Sequence, residues 1–189
     1  MENQVWALIG GGDQEAYGRL YIFYHRVLYN YGRKFTDDAA LLEDALQEAL
    51  LSVWTGRGRL SRVDNPHTYL LTSFRYILFK KLKQSRNTRS LDGVDEGDPD
   101  FGVEHFLILK DSETATREQL RRAIEQLTGR QREAIFLRFY EGLSYEEIAG
   151  IMGISVKATY KVMARALEQL RSTLSLSMAT LLFLMATPA

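Results

Sequence analysis

The stretch Ser144-Tyr-Glu-Glu-Ile-Ala-Gly-Ile-Met-Gly-Ile-Ser-Val-Lys-Ala-Thr-Tyr-Lys-Val-Met-Ala-Arg-Ala-Leu167 predicts two helices joined by a tight turn. Ser144 and Glu147 form a capping box at the start of the first helix, Gly153 ends that helix, and Ser155 caps the second. The second helix has its apolar positions on one side, at Val156, Thr159, Met163, Ala166, Leu167 and Leu170. A short Gly-containing turn between two helices is typical of a helix-turn-helix, whose second helix enters the DNA major groove.

The outward face of the second helix carries Lys157, Lys161 and Arg165 at intervals of four residues. Cations placed in this way can bind DNA phosphates, although a solvated surface is the commonest role of such residues. The pattern alone therefore leaves two interpretations open, a plain helical hairpin and a DNA-binding helix.

The chain before this hairpin is also predicted to be helical. Phe106 to Leu127 has a helical pattern, and a Thr128-Gly-Arg-Gln131 capping box starts a further helix that runs to Tyr140. Three amphipathic helices are predicted nearer the N-terminus, where Gly10 to Gly12 form a flexible entry to the first of them. The predicted N-caps are Asp13 for the first helix, Asp37 or Asp38 for the second, and Asn65 for the third, which has Pro66 in its first turn. The first helix is expected to turn its apolar side chains inward, at Ala16, Leu20, Phe23, Tyr24, Val27, Leu28 and Tyr31.

The charges divide the chain into blocks, although 24 Lys and Arg balance 24 Asp and Glu overall. Residues 1–90 hold 13 basic and 9 acidic residues, residues 91–116 hold 1 and 8, and residues 117–189 hold 10 and 7. The segment from Arg57 to Arg89 has nine basic residues and a single acid, which indicates a polyanionic partner. Aromatic residues lie among these cations, a mixture that favours unpaired nucleic acid. Leu91 to Phe101 is acidic and lacks apolar periodicity, so we expect a mobile linker there.

Several functional classes are excluded or disfavoured by the composition. The chain of 189 residues has no cysteine, so disulfides, thiol catalysis and Cys-ligated metals are ruled out. The three histidines are far apart in sequence, and we expect no catalytic residues, no metal site and no cofactor. Because no secretory signal starts the sequence, we expect a cytoplasmic protein. The uncharged apolar tail, residues 175–189, is too short and too interrupted to predict a membrane span.

A family resemblance is carried by two blocks in a fixed order. Leu137 to Val156, with Gln131-Arg-Glu133 before it, resembles region 4 of the extracytoplasmic-function (ECF) sigma factors of the sigma-70 family. Gly12-Asp-Gln-Glu-Ala-Tyr17, Glu43-Asp-Ala-Leu-Gln-Glu-Ala-Leu-Leu-Ser-Val-Trp54 and Asn65-Pro66 resemble region 2. The segment after Ser155 is similar to that of sigma factors from Bacteroidetes-type bacteria.

The resemblance implies a fold and a function. The fold class would be all-α, with region 2 in residues 1–90, an acidic linker in 91–112, region 4 in 113–174 and an apolar tail in 175–189. The protein would be a transcription initiation factor and not an enzyme. It would bind core RNA polymerase through the clamp helices of the largest subunit and the flap, recognise the minus-thirty-five and minus-ten promoter elements, and assist melting. An anti-sigma factor is a further expected partner.

The resemblance also implies roles for individual residues. The minus-ten element is expected to contact a loop from Arg57 to Asp64 and the third helix. The residues expected to make these contacts are Arg57, Arg59, Arg62, Asn65, Tyr69, Thr72, Arg75, Tyr76, Lys80 and Lys83. Contacts to the minus-thirty-five element are expected from Ser155, Lys157, Ala158, Tyr160, Lys161 and Arg165. Contacts to core polymerase are expected from Asp44, Gln47, Glu48 and Leu51.

Other functions remain open at this stage. A helix-turn-helix regulator that is not a sigma factor shares the region 4 pattern, and its response-regulator form would need an α/β receiver. A helical adaptor that binds only proteins would show no DNA affinity. The family often has Trp where Tyr69 stands, Asn where Tyr76 stands, and basic residues at the positions of Tyr160 and Val162. We expect these departures to alter promoter preference rather than to abolish function.

Overall fold

A computed structural model describes residues 2–89, 101–102 and 114–174 of the chain. Every regular element within these ranges is a helix, as the sequence predicts. The elements are α1 (Glu2–Gly10), α2 (Gln14–Gly32), α3 (Ala39–Thr55), a 3₁₀ segment (Arg57–Arg62), α4 (Pro66–Arg89), α5 (Thr114–Glu125), α6 (Gly129–Phe139), α7 (Tyr145–Met152) and α8 (Val156–Thr173). The chain divides into two compact units, residues 1–97 and 98–189.

The predicted helix starts are confirmed by their capping hydrogen bonds. Asp13 and Asp38 each accept a bond from the backbone N–H three residues on, at 2.9 and 3.1 Å. Asn65 does the same for the N–H of Thr68 at 3.1 Å. The reciprocal bonds of both predicted capping boxes are present, at Thr128 and Ser144. Because these bonds satisfy N–H groups that have no partner inside the helix, the short polar residues set where each helix begins.

In the first unit, α2, α3 and α4 pack around one apolar core. Its largest fully buried side chains include Leu28, Tyr31, Leu42, Leu46, Leu50, Leu70, Phe74 and Leu78. Gly32 lies at the end of α2, where a Cβ atom would be 2.4 Å from Leu42 Cδ1 and 2.8 Å from Phe74 Cζ. The absence of a side chain at this position therefore lets the three helices come together.

Three predictions for the first unit are wrong. The sequence analysis has no helix before Asp13, yet α1 is present and buries Trp6 and Ile9. The Trp6 side chain bonds to a residue far along the chain, because its Nε1 donates to the carbonyl of Leu60 at 3.2 Å. Gly10 to Gly12 therefore end α1 and connect it to α2. Phe23 was expected in the core but is 57% exposed. Residues 57–62, expected to be loop, form the 3₁₀ segment.

In the second unit, α8 packs against α5, α6 and α7. Gly153 ends α7 with a φ of +65°, in the left-handed region that favours glycine, and Ser155 then caps α8. Leu137, Ile148 and Met163 are buried between the helices. Phe101, which falls inside the predicted linker, is fully buried and lies 5.5 Å from the ring centroid of Phe136. At this residue the expectation of a mobile linker is wrong, because its side chain belongs to the core of this unit.

The rest of the predicted linker, the first part of the predicted 106–127 helix and the tail 175–189 lie outside the described residues. Among the described helices, none is both long enough and apolar enough to cross a membrane.

Candidate nucleic-acid and polymerase interfaces

The helix-turn-helix presents the outward face that the sequence predicts. Lys157, Lys161 and Arg165 are exposed on α8, while Thr159 on the opposite side is fully buried. The Ser155 Oγ accepts a hydrogen bond from the Ala158 N–H at 3.2 Å, so this serine positions the start of the helix. Ala158 is half-buried and Tyr160 is 52% exposed. The minus-thirty-five residues named from the sequence therefore lie together in the first three turns of α8.

One feature of this face was not predicted from the sequence. The ring of Tyr160 stacks on that of Tyr145, the first residue of α7, with centroids 4.2 Å apart and planes 18° apart. The Arg138 guanidinium carbon lies 5.3 Å from the centroid of the Tyr145 ring. The only sequence signal was a pair of tyrosines in consecutive helices, which does not by itself indicate contact.

The predicted minus-ten residues of α4 follow one face of that helix. Asn65, Tyr69, Thr72, Tyr76, Lys80 and Lys83 recur at intervals of three or four residues. Tyr76 is 71% exposed, and Lys80 and Lys83 are exposed in the turns after it. The Arg75 guanidinium carbon lies 4.0 Å from the centroid of the Phe79 ring, a cation–π contact that orients this arginine. The result is a cationic surface with one large exposed aromatic ring.

Other predicted minus-ten residues also serve the fold. Tyr69 is half-buried with its ring 5.9 Å from that of Trp6. The Thr72 hydroxyl donates to the carbonyl of Thr68 at 2.7 Å, within α4. The Asn65 side chain accepts the capping bond at the start of α4. These groups fix the helix geometry, and their remaining surface borders the exposed face.

The 3₁₀ segment places its arginines next to the start of α4. Arg57 Nη1 donates to the carbonyl of Trp54 at 2.9 Å, and its guanidinium lies over the Trp54 ring at 4.7 Å. Arg59 is exposed, and the side chain of Arg62 lies outside the described part of the chain. The hydrogen bond from the Trp6 side chain to the Leu60 carbonyl connects this segment to α1. Arg57 and Arg59 are therefore presented on a short ordered turn.

The predicted polymerase-binding residues share the outward face of α3. Gln47 is exposed and Leu51 is 56% exposed, so this face presents one large apolar side chain to water. Asp44 and Glu48 each lie 2.7 Å from the Lys81 ammonium group of α4. Hydrogen bonds from Lys81 to Asp44 and to Glu48 raise the pKa of the lysine. Both acids, which are expected from the sequence to contact polymerase, are thus also paired within the chain itself.

The described residues contain no group of three or more His, Asp or Glu side chains that could hold a metal ion. His25 pairs with Glu43 at 3.1 Å, and the His67 ring lies 5.9 Å from that of Tyr24, which gives two of the three histidines structural contacts.

Comparison with known proteins identifies the two units. Residues 20–88 match the family model described as Sigma-70 region 2, and residues 117–170 match the one described as Sigma-70, region 4. The RNA polymerase sigma factor CarQ of Myxococcus xanthus is 30% identical over 164 residues, covering 86% of this chain and 91% of CarQ. The ECF RNA polymerase sigma factor SigK of Mycobacterium tuberculosis is 27% identical over 173 residues, covering 89% and 91%.

A solved structure shows the same fold. It is the sigma factor RpoE from Bartonella quintana in complex with the anti-sigma factor NepR, with a TM-score of 0.59 and 22% identity over 82% of this chain and 94% of that one. The matches to both regions exclude the response-regulator and adaptor alternatives, and the family is not enzymatic, as the sequence resemblance implied. The chain therefore belongs to the sigma-70 family as an ECF-type RNA polymerase sigma factor with regions 2 and 4, which acts in promoter recognition and transcription initiation.

Proposed function

We propose that the exposed face of α4, with Arg57 and Arg59 of the 3₁₀ segment, binds the melted minus-ten element. The observation that carries this proposal is Tyr76, whose ring is 71% exposed and has exposed Lys80 and Lys83 in the turns that follow it. Folding gains little from a tyrosine ring left in water, whereas an unpaired base can stack on it. The neighbouring cations bind the phosphates that such a strand carries.

The strand-selective role of α4 can be tested by charge reversal in the reconstituted holoenzyme. Arg75→Glu and Lys83→Glu should weaken open-complex formation more than they weaken binding to closed duplex promoter. Tyr76→Ala should do the same while Tyr76→Phe retains most activity, because stacking needs the ring and not the hydroxyl. Arg26→Glu, at an exposed position of α2, is the matched control. Equal losses in the open-complex and duplex assays would remove the single-strand role.

The outward face of α8 is proposed to read the minus-thirty-five element in duplex form. Its exposed Lys157, Lys161 and Arg165 lie in the first turns of the second helix of a helix-turn-helix, the part that reaches base edges in the major groove. Run-off transcription by core polymerase, with and without this chain, on a library of promoters would test it. Activity that is independent of the upstream sequence would contradict this role.

The outward face of α3 is proposed to dock on the clamp helices of the largest polymerase subunit, with region 4 binding the flap. Exposed Leu51 supplies an apolar contact, and Asp44, Gln47 and Glu48 supply a polar rim. Leu51→Asp should lower affinity for core polymerase without lowering the thermal stability of the free chain. Leu41→Asp, a half-buried position earlier on the same helix, tests whether any new charge on α3 has that effect.

The functional boundaries proposed for these activities are residues 1–90 for region 2, 91–112 for the linker, 113–174 for region 4 and 175–189 for the tail. We further propose that the protein acts in the cytoplasm, where polymerase and promoter meet, and that it has an anti-sigma partner. The complex of Bartonella RpoE with its anti-sigma factor supports the partner proposal through the shared fold. Affinity purification followed by mass spectrometry should recover polymerase subunits and such a protein.

A further inference from the structure

The stacked rings in the second unit connect three helices at the start of α8. Arg138 at the end of α6 lies over one face of the Tyr145 ring, and Tyr160 of α8 stacks at 4.2 Å on that ring as well. Arg138 is itself held, because its Nη1 donates to the carbonyl of Leu143 at 2.8 Å. The capping box of Ser144 and Glu147 fixes the backbone next to Tyr145. Tyr145 is therefore a restrained platform for the Tyr160 ring.

The position of Tyr160 makes this platform relevant to DNA. Tyr160 lies in the second turn of α8, next in sequence to Lys161 and one turn after Lys157. One face of its ring rests on Tyr145, yet 52% of the residue remains exposed. The surface left to a partner includes the opposite ring face, the apolar ring edge and the hydroxyl. A tyrosine without the platform could take other staggered rotamers at the same position.

The chemistry of the major groove indicates what such a ring would contact. Thymine carries a C5-methyl group there, the one apolar group among the base-pair edges, and apolar side chains contact it. We propose that Tyr160 reads one thymine methyl group of the minus-thirty-five element and that Tyr145 is the positioning residue that holds its ring for this contact. This proposal rests on the proposed role of α8 in minus-thirty-five recognition.

The test replaces thymine by deoxyuridine, which removes the methyl group and keeps the pairing edge. A preferred upstream element is first selected from a random library with the wild-type holoenzyme, and each thymine on either strand is then replaced in turn. We expect one replacement to weaken promoter binding about three- to fivefold, the effect of losing one buried methyl-sized group. In Tyr160→Ala and in Tyr145→Ala holoenzymes that single-position effect should disappear. Tyr145→Phe and Tyr160→Phe should retain it.

Two further variants separate positioning from general stability. Tyr145→Leu keeps apolar bulk beneath Tyr160 without a flat ring, so it should lose the methyl effect with little change in the thermal melt. Tyr140→Ala removes a different exposed tyrosine of the same unit, one that stacks on Phe136, and should keep the methyl effect.

The outcomes distinguish this inference from the function on which it rests. If the wild-type holoenzyme selects an upstream element but no thymine methyl group affects binding, or if the element has no thymine, the Tyr160 contact is wrong. If Tyr145→Ala and Tyr145→Leu weaken all sites evenly and keep the methyl effect, Tyr145 is only structural. If the wild-type holoenzyme selects no upstream sequence at all, the proposed role of α8 itself fails.

Discussion

Gly32 shows how one missing side chain permits the helix packing of region 2. The position is buried, and an added Cβ would lie 2.4 Å from Leu42 and 2.8 Å from Phe74, both in the fully buried core. Gly18, in the same helix, has no atom within 4 Å of the corresponding Cβ position. A methyl group added at Gly32 would therefore clash with the core, whereas one added at Gly18 would have room.

Alanine substitution at these two positions should give effects of opposite sign. Gly32→Ala should lower the free energy of unfolding by about 1–3 kcal/mol, the usual cost of overpacking a core. Gly18→Ala should raise it by about 0.5–1 kcal/mol, because alanine loses less backbone entropy in a helix. Urea unfolding of the full chain measures both. A stabilising Gly32→Ala would show that α2 and α3 separate easily at this point.

Lys81 joins two of the helices through a pair of carboxylates. Its side chain is only 19% exposed and lies 2.7 Å from both Asp44 and Glu48. Since the acids are also proposed to contact polymerase, the lysine holds them in place before docking. The partners raise the pKa of Lys81, so its stabilising effect is complete at neutral pH and is lost as the pH rises through that raised value.

Replacing this lysine should therefore destabilise the chain in a pH-dependent way. Lys81→Met should lower the free energy of unfolding at pH 7 by about 1 kcal/mol or somewhat less, since the carboxylates are largely exposed. Lys80→Met, at the exposed neighbouring position, should change it little. Chemical denaturation from pH 7 to 11 should show the two variants converging only at the alkaline end. A difference that is constant over the whole range would assign the effect to packing of the lysine stem.

At the scale of whole elements, the sequence predicts helices well wherever the determining contacts are local. Asp13, Asp38 and Ser155 cap their helices through bonds that span three residues, so a short window of sequence contains the whole signal. The α1 helix has no such signal, since its buried Trp6 bonds to a carbonyl 54 residues away. Phe23 was wrongly expected in the core, because apolar periodicity shows which face of a helix a residue is on but not whether another helix packs over that residue. The 3₁₀ segment likewise depends on packing against α1.

The dependence of the 3₁₀ segment on α1 gives a prediction for these elements. Trp6→Phe keeps an aromatic ring but removes one of the two donors to the Leu60 carbonyl, which still accepts from the Val63 N–H. The loss of that one bond should cost about 0.5–1.5 kcal/mol. Hydrogen exchange should become faster at the amides of Arg59 and Val63, which donate to the carbonyls of Gly56 and Leu60 at the two ends of the segment. Exchange at Leu42 and Leu46 of α3 should change much less. Equal acceleration in both places would mean that α1 stabilises region 2 as a whole.

At the scale of the molecule, the charge blocks and the order of the two regions were readable in the sequence, whereas the paired groups within each surface were not. A charge count sees Asp44 and Glu48 as free acids, although Lys81 binds both. Spacing likewise does not show that Tyr145 meets Tyr160, because that contact depends on how α7 crosses α8. Local sequence patterns predict which face of its helix a residue occupies. The partners across helices follow only from tertiary packing.

A neutral chain that binds DNA must do so through local cationic faces, and the salt dependence of binding should reveal them. The measurement is the slope of log affinity against log salt concentration for duplex promoter binding by the holoenzyme. Replacing Lys157, Lys161 and Arg165 together by Gln should reduce the magnitude of this slope by about two to three, because each phosphate contact contributes about 0.9 to it. The combination Arg19→Gln, Arg26→Gln and Arg122→Gln removes the same charge from exposed positions on α2 and α5 and should change the slope by less than one. Because net charge changes equally in both, a difference between the two slopes can come only from where the cations lie. Equal slopes would mean that the α8 face makes no phosphate contacts of its own.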